Sequence, residues 1–451
     1  MNAMILLLKK PFKNSLSYAQ NYFVKRFSQY NHEERLFTNL HRKERRSIKD
    51  ALDEQTRFEI TKILKKDPID IIKTIEKSRL RGKSSGMPTF LKMLDVRDEM
   101  AKDSNIENKR KTSVVVINAA ENEPGTFKDR MLLSYEPLKI IEGALIASSA
   151  VDSTLCYIYT RKDYYAEMIN LQKSIVQCYG SKLLGRNILG TNTKLDILVH
   201  PGAGTYITSE ESALLESLEG RFPIAMQLPQ PVSAKGLFGL PTLMLNVETA
   251  ANLSDIMKRE ISNKEVENNY ETKLFCISGD VNNPGITEGK LSCSLKELIE
   301  THTGGVKDGW DSLVGVYAGG PASGILNKEQ CERTTMDYQT LEALGCNLKN
   351  GSLIVLNNQD HVVDSLLNFF RFYSKETCHI CPVCRPGIED VEDVLTDLQH
   401  GTANFGEIQN ILSRFQQPMQ EGIVCGFADN FRRPFLTYVN NFQHDLVRRT
   451  R

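Results

Sequence analysis

Two hydrophobic rhythms alternate along this chain. Residues 113–118 (Ser-Val-Val-Val-Ile-Asn) form a short, nearly continuous apolar run, the pattern of a strand buried on both faces. Helical spacing follows over 132–150, then a strand over 154–160, a helix from about 164 to 179 and a strand over 194–200. Strands alternating with helices predict a parallel sheet covered on both faces, with ligands beyond the carboxyl ends of the strands. That rule singles out two loops, 118–126 and 201–211. In the second, Ser209 is expected to cap a helix over 210–220. Glu210 and Glu211 then have two readings, acceptors for ribose hydroxyls or first-turn carboxylates favoured by the helix dipole.

Upstream, 35–77 is charged and helical in pattern, with Phe58, Ile60, Ile63 and Leu64 followed by Ile69, Ile71, Ile72 and Ile75. A loop of small residues, Arg81-Gly82-Lys83-Ser84-Ser85-Gly86-Met87-Pro88-Thr89, leads into a helix near Phe90. Such a loop holds a phosphate with backbone N–H groups, or is a plain connection. Downstream, 274–316 breaks into short β-patterned runs around one helical stretch, 295–301, as in a small α+β module. A β run at 352–356 precedes an amphipathic helix over 362–373. Ile388, Val391, Leu395 and Leu398, then Ile408, Ile411, Leu412 and Phe415, predict a helical hairpin.

The hairpin lies between thiols. Cys378, Cys381 and Cys384 stand at two-residue intervals, and Cys425 follows the hairpin. Four thiolates are the usual complement of a [4Fe–4S] cluster. Zinc, with His379 as a substitute ligand, is the alternative, but one run of three equally spaced thiols suits iron–sulfur better. The other six cysteines are scattered, as reduced thiols are in a reducing compartment.

Composition narrows the class. Hydrophobic residues make up 41% and charged residues 25%, with 56 basic and 56 acidic side chains. That balance is ordinary for a protein with large cores, and it argues against a nucleic-acid binder. No apolar run approaches the roughly 18 residues of a membrane span. The first 32 residues carry Lys9, Lys10, Lys13, Lys25 and Arg26 and no acid before Glu33, the composition of a mitochondrial transit segment.

Taken in order, several stretches resemble the family of the 51-kilodalton flavoprotein in respiratory complex I. They are 118–130 (Asn-Ala-Ala-Glu-Asn-Glu-Pro-Gly-Thr-Phe-Lys-Asp-Arg), 200–206 (His-Pro-Gly-Ala-Gly-Thr-Tyr), 210–220, 238–242, 246–249 and the cysteine cluster. The resemblance runs from Leu36 to the last helix. It implies a Rossmann-like α/β domain binding FMN and NADH, a small β-grasp-like domain and a C-terminal helical bundle carrying a [4Fe–4S] cluster. The corresponding boundaries are 1–32 for the transit segment, 33–97 for a helical segment with the small-residue loop, 98–268, 269–357 and 358–451. Carried to matching positions, Gly82, Gly86, Lys92, Asn118, Glu121, Tyr206, Asn246 and Thr249 line the flavin site. Glu210 and Glu211 serve NADH, and Cys378, Cys381, Cys384 and Cys425 ligate the cluster. The implied partners are other complex I subunits, above all the 24- and 75-kilodalton iron–sulfur subunits, on the matrix side of the mitochondrial inner membrane. A diaphorase subunit of an NAD-linked hydrogenase or formate dehydrogenase is a neighbouring reading.

Departures from the family pattern concentrate at the nucleotide sites. Ser84 and Ser85 stand where the family has glycine, Met87 where an aromatic stacks on NADH, and Ala120 where there is an acid. Asn122 replaces a small residue, Leu228 and Pro231 replace a lysine and a phenylalanine, and Thr208-Ser209 replaces Cys-Gly. Loss of a stacking aromatic and of a phosphate-pairing lysine each costs on the order of 1–2 kcal/mol. The alternative expectation is therefore a structural or electron-relay subunit that has lost NADH or FMN binding.

Overall fold

The computed structural model describes residues 35–39, 48–102, 112–266, 272–381, 383–416 and 423–450. The transit segment expected over 1–32 lies outside them. Four parallel strands, β1 (Ser113–Ala119), β2 (Ser153–Arg161), β3 (Asp196–Gly202) and β4 (Thr242–Asn246), pair in the order β3-β2-β1-β4. The chain therefore runs outward from β1 to β3 and returns to the other side of β1, which places the topological switch point between β1 and β4. Every residue of β1 except Asn118 is buried, as its apolar run requires. The helical pattern over 132–150 resolves into two helices, Lys128–Tyr135 and Pro137–Ala150. Pro137 lacks the N–H that would continue the first helix and instead starts the second.

Helix Pro137–Ala150 packs tightly on helix Val247–Ile261. A Cβ built on Gly143 would collide with the Ala250 carbonyl, so only glycine permits this approach. The same pair is tied by Lys258 Nζ to Glu142 Oε2 at 2.7 Å. Gly143→Ala is expected to destabilise the protein by about 1–3 kcal/mol, read as a lower urea midpoint with an unchanged slope.

A second, mixed sheet has the order β6-β5-β9-β7-β8, with β5 Thr272–Gly279, β6 Gly285–Lys290, β7 Gly315–Ala318, β8 Ile325–Asn327 and β9 Ser352–Leu356. Helix Leu295–Thr303 packs beside it, capped by the Ser294 side chain. The C-terminal bundle holds helices Asp360–Glu376, Cys384–His400, Phe405–Gln416, Phe427–Asn441 and Gln443–Arg449. Phe370, Tyr373, Phe415, Phe431, Phe435 and Tyr438 fill its core. Among the described residues no helix is long and apolar enough to cross a membrane.

Candidate functional site

A cavity of about 420 Å³ opens at the switch point of the parallel sheet. Its floor comes from the ends of β1 and β4, through Asn118, Ala120, Glu121, Met244, Leu245 and Asn246. Gly82, Ser84, Ser85, Thr89 and Lys92 close one side, and Ser209, Glu210 and Glu211 the other. The volume is within the usual range for small-molecule sites, about 300–1,000 Å³.

The small-residue loop is a tight turn, with Gly82 N–H donating to Met87 O and Gly86 N–H to Gly82 O, each at 2.7 Å. It delivers the chain to helix Thr89–Lys102. Thr89 is 1% exposed, and its Oγ1 has no hydrogen-bond partner within the protein. An orphaned hydroxyl at a helix N-terminus, facing a polar cavity, suits a phosphate oxygen. Sequence reasoning misses Thr89, although a threonine at a helix start after Pro88 is a signal that could have found it.

Six of the eight residues assigned to flavin line this cavity: Gly82, Lys92, Asn118, Glu121, Asn246 and Thr249. Several are held by the protein itself. Thr249 Oγ1 accepts from Lys83 N–H at 3.0 Å. Asn246 Oδ1 caps its helix through Glu248 N–H, and its amide donates to Asp129 at 2.8 Å. Glu121 accepts from the N–H groups of Asp129 and Arg130 at 2.9 and 3.1 Å. Burial, reinforced by the nearby Asp129 charge, pushes the Glu121 carboxyl up to about 7.

The remaining two do not line this cavity, although Tyr206 lines the hollow that adjoins it. Gly86 faces away from the cavity, toward the Tyr338 ring, which a Cβ would meet at 3.1 Å, and its φ of +71° is the conformation the turn needs. Tyr206 is drawn into the helical bundle, where its ring centroid lies 5.5 Å from Phe372 and 5.7 Å from Phe427. Its hydroxyl donates to the buried Glu123 and accepts from Asn430 Nδ2 at 3.0 Å. An aromatic ring with one polar tip fits that boundary better than an open polar cavity.

The paired glutamates diverge. Glu211 holds Lys92 in an ion pair at 2.6 Å. Glu210 has its carboxyl raised by burial, then by the neighbouring Glu211 charge, while Ser212 N–H pulls the other way. The expected cap by Ser209 is not formed. Residues Tyr206–Ser209 make a 3-10 turn, the helix is Glu211–Leu218, and Ser209 Oγ donates back to Tyr206 O at 2.8 Å.

Two departures meet each other. Asn122 Nδ2 donates to Thr205 O at 2.9 Å and to Thr208 Oγ1 at 3.2 Å, joining the two ligand loops. Met87 lines the cavity and is half exposed. Leu228 lines a different hollow, with Glu216 and Arg221.

At the head of the bundle, Cys381 and Cys384 are buried, Cys378 and Cys425 half-buried. Cys381, Cys425 and Cys378 all act electrostatically on Cys384, so the four sulfurs converge. Val424 N–H donates to Cys381 Sγ at 3.3 Å. Among the described residues no three Cys, His, Asp or Glu side chains are gathered tightly enough for a single metal ion. Four converging thiols are the usual complement of a [4Fe–4S] cluster, and His379 is exposed.

A second hollow of about 380 Å³ shares Ser84, Ser85, Ser209 and Glu210 with the first and reaches Gly426 and Phe427, beside Cys425.

A cavity at an α/β switch point, a mixed β-sheet module and a thiol-bearing bundle define a multidomain redox protein of the iron–sulfur flavoprotein class. Residues 75–255 match the Nuo51 FMN-binding domain, 273–361 an SLBB domain, and 364–449 the NADH-ubiquinone oxidoreductase-F iron-sulfur binding region. The F subunit of NADH-quinone oxidoreductase from Rickettsia bellii is 37% identical over 421 residues, covering 92% of this chain and 99% of the relative. The Rickettsia akari counterpart is 36% identical over 418 residues, covering 92% and 96%. The chain belongs to the family of NADH-quinone oxidoreductase F subunits. The fold also matches NAD+-reducing [NiFe]-hydrogenase in the air-oxidized state, with TM-score 0.74, 26% identity and coverage of 90% of this chain and 67% of that one. In the H2-reduced state the values are 0.74, 24%, 89% and 66%, so the chain spans about two thirds of the hydrogenase chain.

Proposed function

We propose that this chain is the electron-entry subunit of a respiratory NADH dehydrogenase, oxidising NADH with FMN and sending electrons toward quinone by way of a [4Fe–4S] cluster. FMN supplies acceptance of a hydride and release of electrons one at a time, and the cluster supplies one-electron carriage. The observation that carries the reading is adjacency: Glu210 lines both the cavity and the hollow that reaches Gly426 and Phe427, beside Cys425.

In this reading Thr89 Oγ1, the Ser84 and Ser85 stretch of the loop and Lys92 receive the flavin phosphate. Lys92 must then be shared with Glu211, which keeps its charge balanced when the cavity is empty. Gly82, Asn118, Glu121, Asn246 and Thr249 shape the walls. Glu210 and Glu211 take the NADH side. Gly86 acts through the turn and Tyr206 through the bundle, so both are positioning residues. Cys378, Cys381, Cys384 and Cys425 hold the cluster. The division at 33–97, 98–268, 269–357 and 358–451 is proposed on the same basis, as are docking to the 24- and 75-kilodalton iron–sulfur subunits and a mitochondrial location for a chain led by residues 1–32.

A second reading, a relay or structural subunit, draws support from Met87 at the cavity mouth and from Leu228 in a separate hollow. The two separate in one experiment. Flavin and iron are measured in the purified protein, and NADH is added without oxygen. Bound FMN whose absorbance bleaches identifies an electron entry point, whereas iron without flavin identifies a relay.

A further inference from the structure

Three buried lysines, Lys83, Lys128 and Lys273, surround one buried carboxylate, Glu248, beneath the small-residue loop. They come from different parts of the chain. Lys83 belongs to the loop, Lys128 to helix Lys128–Tyr135, and Lys273 to β5 of the second sheet. Lys83 and Lys273 clasp each other's backbone. Lys83 Nζ donates to the Thr272 carbonyl, and Lys273 Nζ donates to the Lys83 carbonyl. The loop is thus held from two sides, since Lys83 N–H also bonds Thr249 Oγ1 at 3.0 Å. Leu274 N–H donates to Glu248 Oε1 at 2.9 Å, locking β5 to the same helix. Space for the Lys273 stem depends on Gly351, where a Cβ would stand 2.7 Å from Lys273 Cε. A fully buried ammonium is costly, and a methionine of similar length would fill the space without that cost. What methionine cannot do is donate to the Lys83 carbonyl.

We propose that Lys273, a residue of the β-grasp sheet, is a positioning residue for the flavin site, gripping the Lys83 carbonyl so that loop 82–87 keeps the shape that receives the ligand phosphate. This rests on the reading of that loop as the FMN phosphate site. The charged groups facing Lys273 are Glu248 from helix Val247–Ile261, Lys128 and Asp129 from helix Lys128–Tyr135, and Lys83 from the loop. Burial, with the Lys128 and Lys83 charges, outweighs Glu248 and Asp129 and brings its ammonium down to about 7.

Two pH effects of opposite sign follow. Because the folded value lies below the ordinary 10.5, the cost of charged Lys273 is full below about 7 and fades toward 10.5, so its contribution to stability improves with rising pH. As pH rises through about 7 the folded protein loses this charge, and the neutral amine that remains is a weaker donor to the Lys83 carbonyl, so FMN affinity falls. A merely structural lysine would give the first effect without the second.

The test uses the full chain as wild type, Lys273→Met and Lys273→Arg. Amide hydrogen exchange is followed in the peptide covering 82–87, and FMN affinity is read by fluorescence quenching at about pH 6.5 and about pH 9. Lys273→Met is expected to speed exchange in that peptide and to weaken FMN binding roughly ten-fold at the lower pH, with Lys273→Arg restoring part of both. Wild-type affinity is expected to fall several-fold more between the two pH values than that of Lys273→Met, which keeps only the change that the Glu121 carboxyl, raised to about 7, gives to both proteins. Unchanged exchange in Lys273→Met overturns the proposal. So does an FMN affinity that Lys273→Met leaves unchanged at both pH values. A wild-type chain that binds no FMN at any pH defeats the flavin reading instead, and the exchange rates then decide the clasp alone.

Discussion

Cys381→Ala is expected to abolish the paramagnetic signal of the chemically reduced protein and to lower its iron content to near zero. Cys381 is the middle thiol of the trio, 5% exposed, and its sulfur accepts the Val424 N–H at 3.3 Å. That bond ties the 378–384 loop to the segment carrying Cys425, so the substitution removes one proposed cluster ligand and loosens the approach of another. Three remaining thiols cannot complete the usual four-thiolate set. Cys156→Ala is the control, since that thiol is fully buried against the parallel sheet and remote from the trio. An unchanged signal in Cys381→Ala removes the ligand assignment, and loss in both variants makes the effect one of folding.

Lys128→Met is expected to cost about 3–5 kcal/mol of stability, because it leaves buried carboxylates without their cation. Lys128 is 1% exposed, with Nζ 2.6 Å from Asp129 Oδ1 and 3.1 Å from Glu248 Oε2. Burial opposes its charge, yet Asp129, Glu248 and Glu121 together lift its ammonium above the ordinary value of 10.5. A raised folded value means that its stabilisation is complete below 10.5 and is lost only above that. Without Lys128 the carboxyls of Glu121 and Glu248 lose a charge that holds them down, and a carboxyl that moves up in the folded state costs stability once pH exceeds its unfolded value. The deficit is therefore expected to be larger near pH 8 than near pH 5, as urea midpoints at the two pH values would reveal. A deficit that does not depend on pH removes the electrostatic account.

Elements with strong periodicity are legible in the sequence. The run at 352–356 coincides with β9, and the expected hairpin appears as helices Cys384–His400 and Phe405–Gln416. Helix Val247–Ile261 escapes a periodicity reading because its buried face includes Glu248, Thr249, Asn252 and Ser254, which break an apolar stripe. Thr249 lines the polar cavity, Glu248 answers three lysines, Asn252 donates to the Glu248 carbonyl and Ser254 donates to Glu142. The cysteine motif is readable for the opposite reason, since three thiols in seven residues have few other uses. Family position assigns Gly86 and Tyr206 to the cavity, but the turn directs one toward Tyr338 and aromatic packing draws the other into the bundle. Position along a motif does not reveal which way a side chain leaves the backbone.

The bond between Asn122 and Thr208 makes two departures into one unit of variation. Returning Asn122 alone to a small residue strips Thr208 Oγ1 of a donor in a buried setting, and replacing Thr208 alone removes an acceptor from the Asn122 amide. Each single replacement breaks the same bond, so the two penalties are expected to sum to more than the penalty of both replacements together, and the two loops vary as a coupled pair.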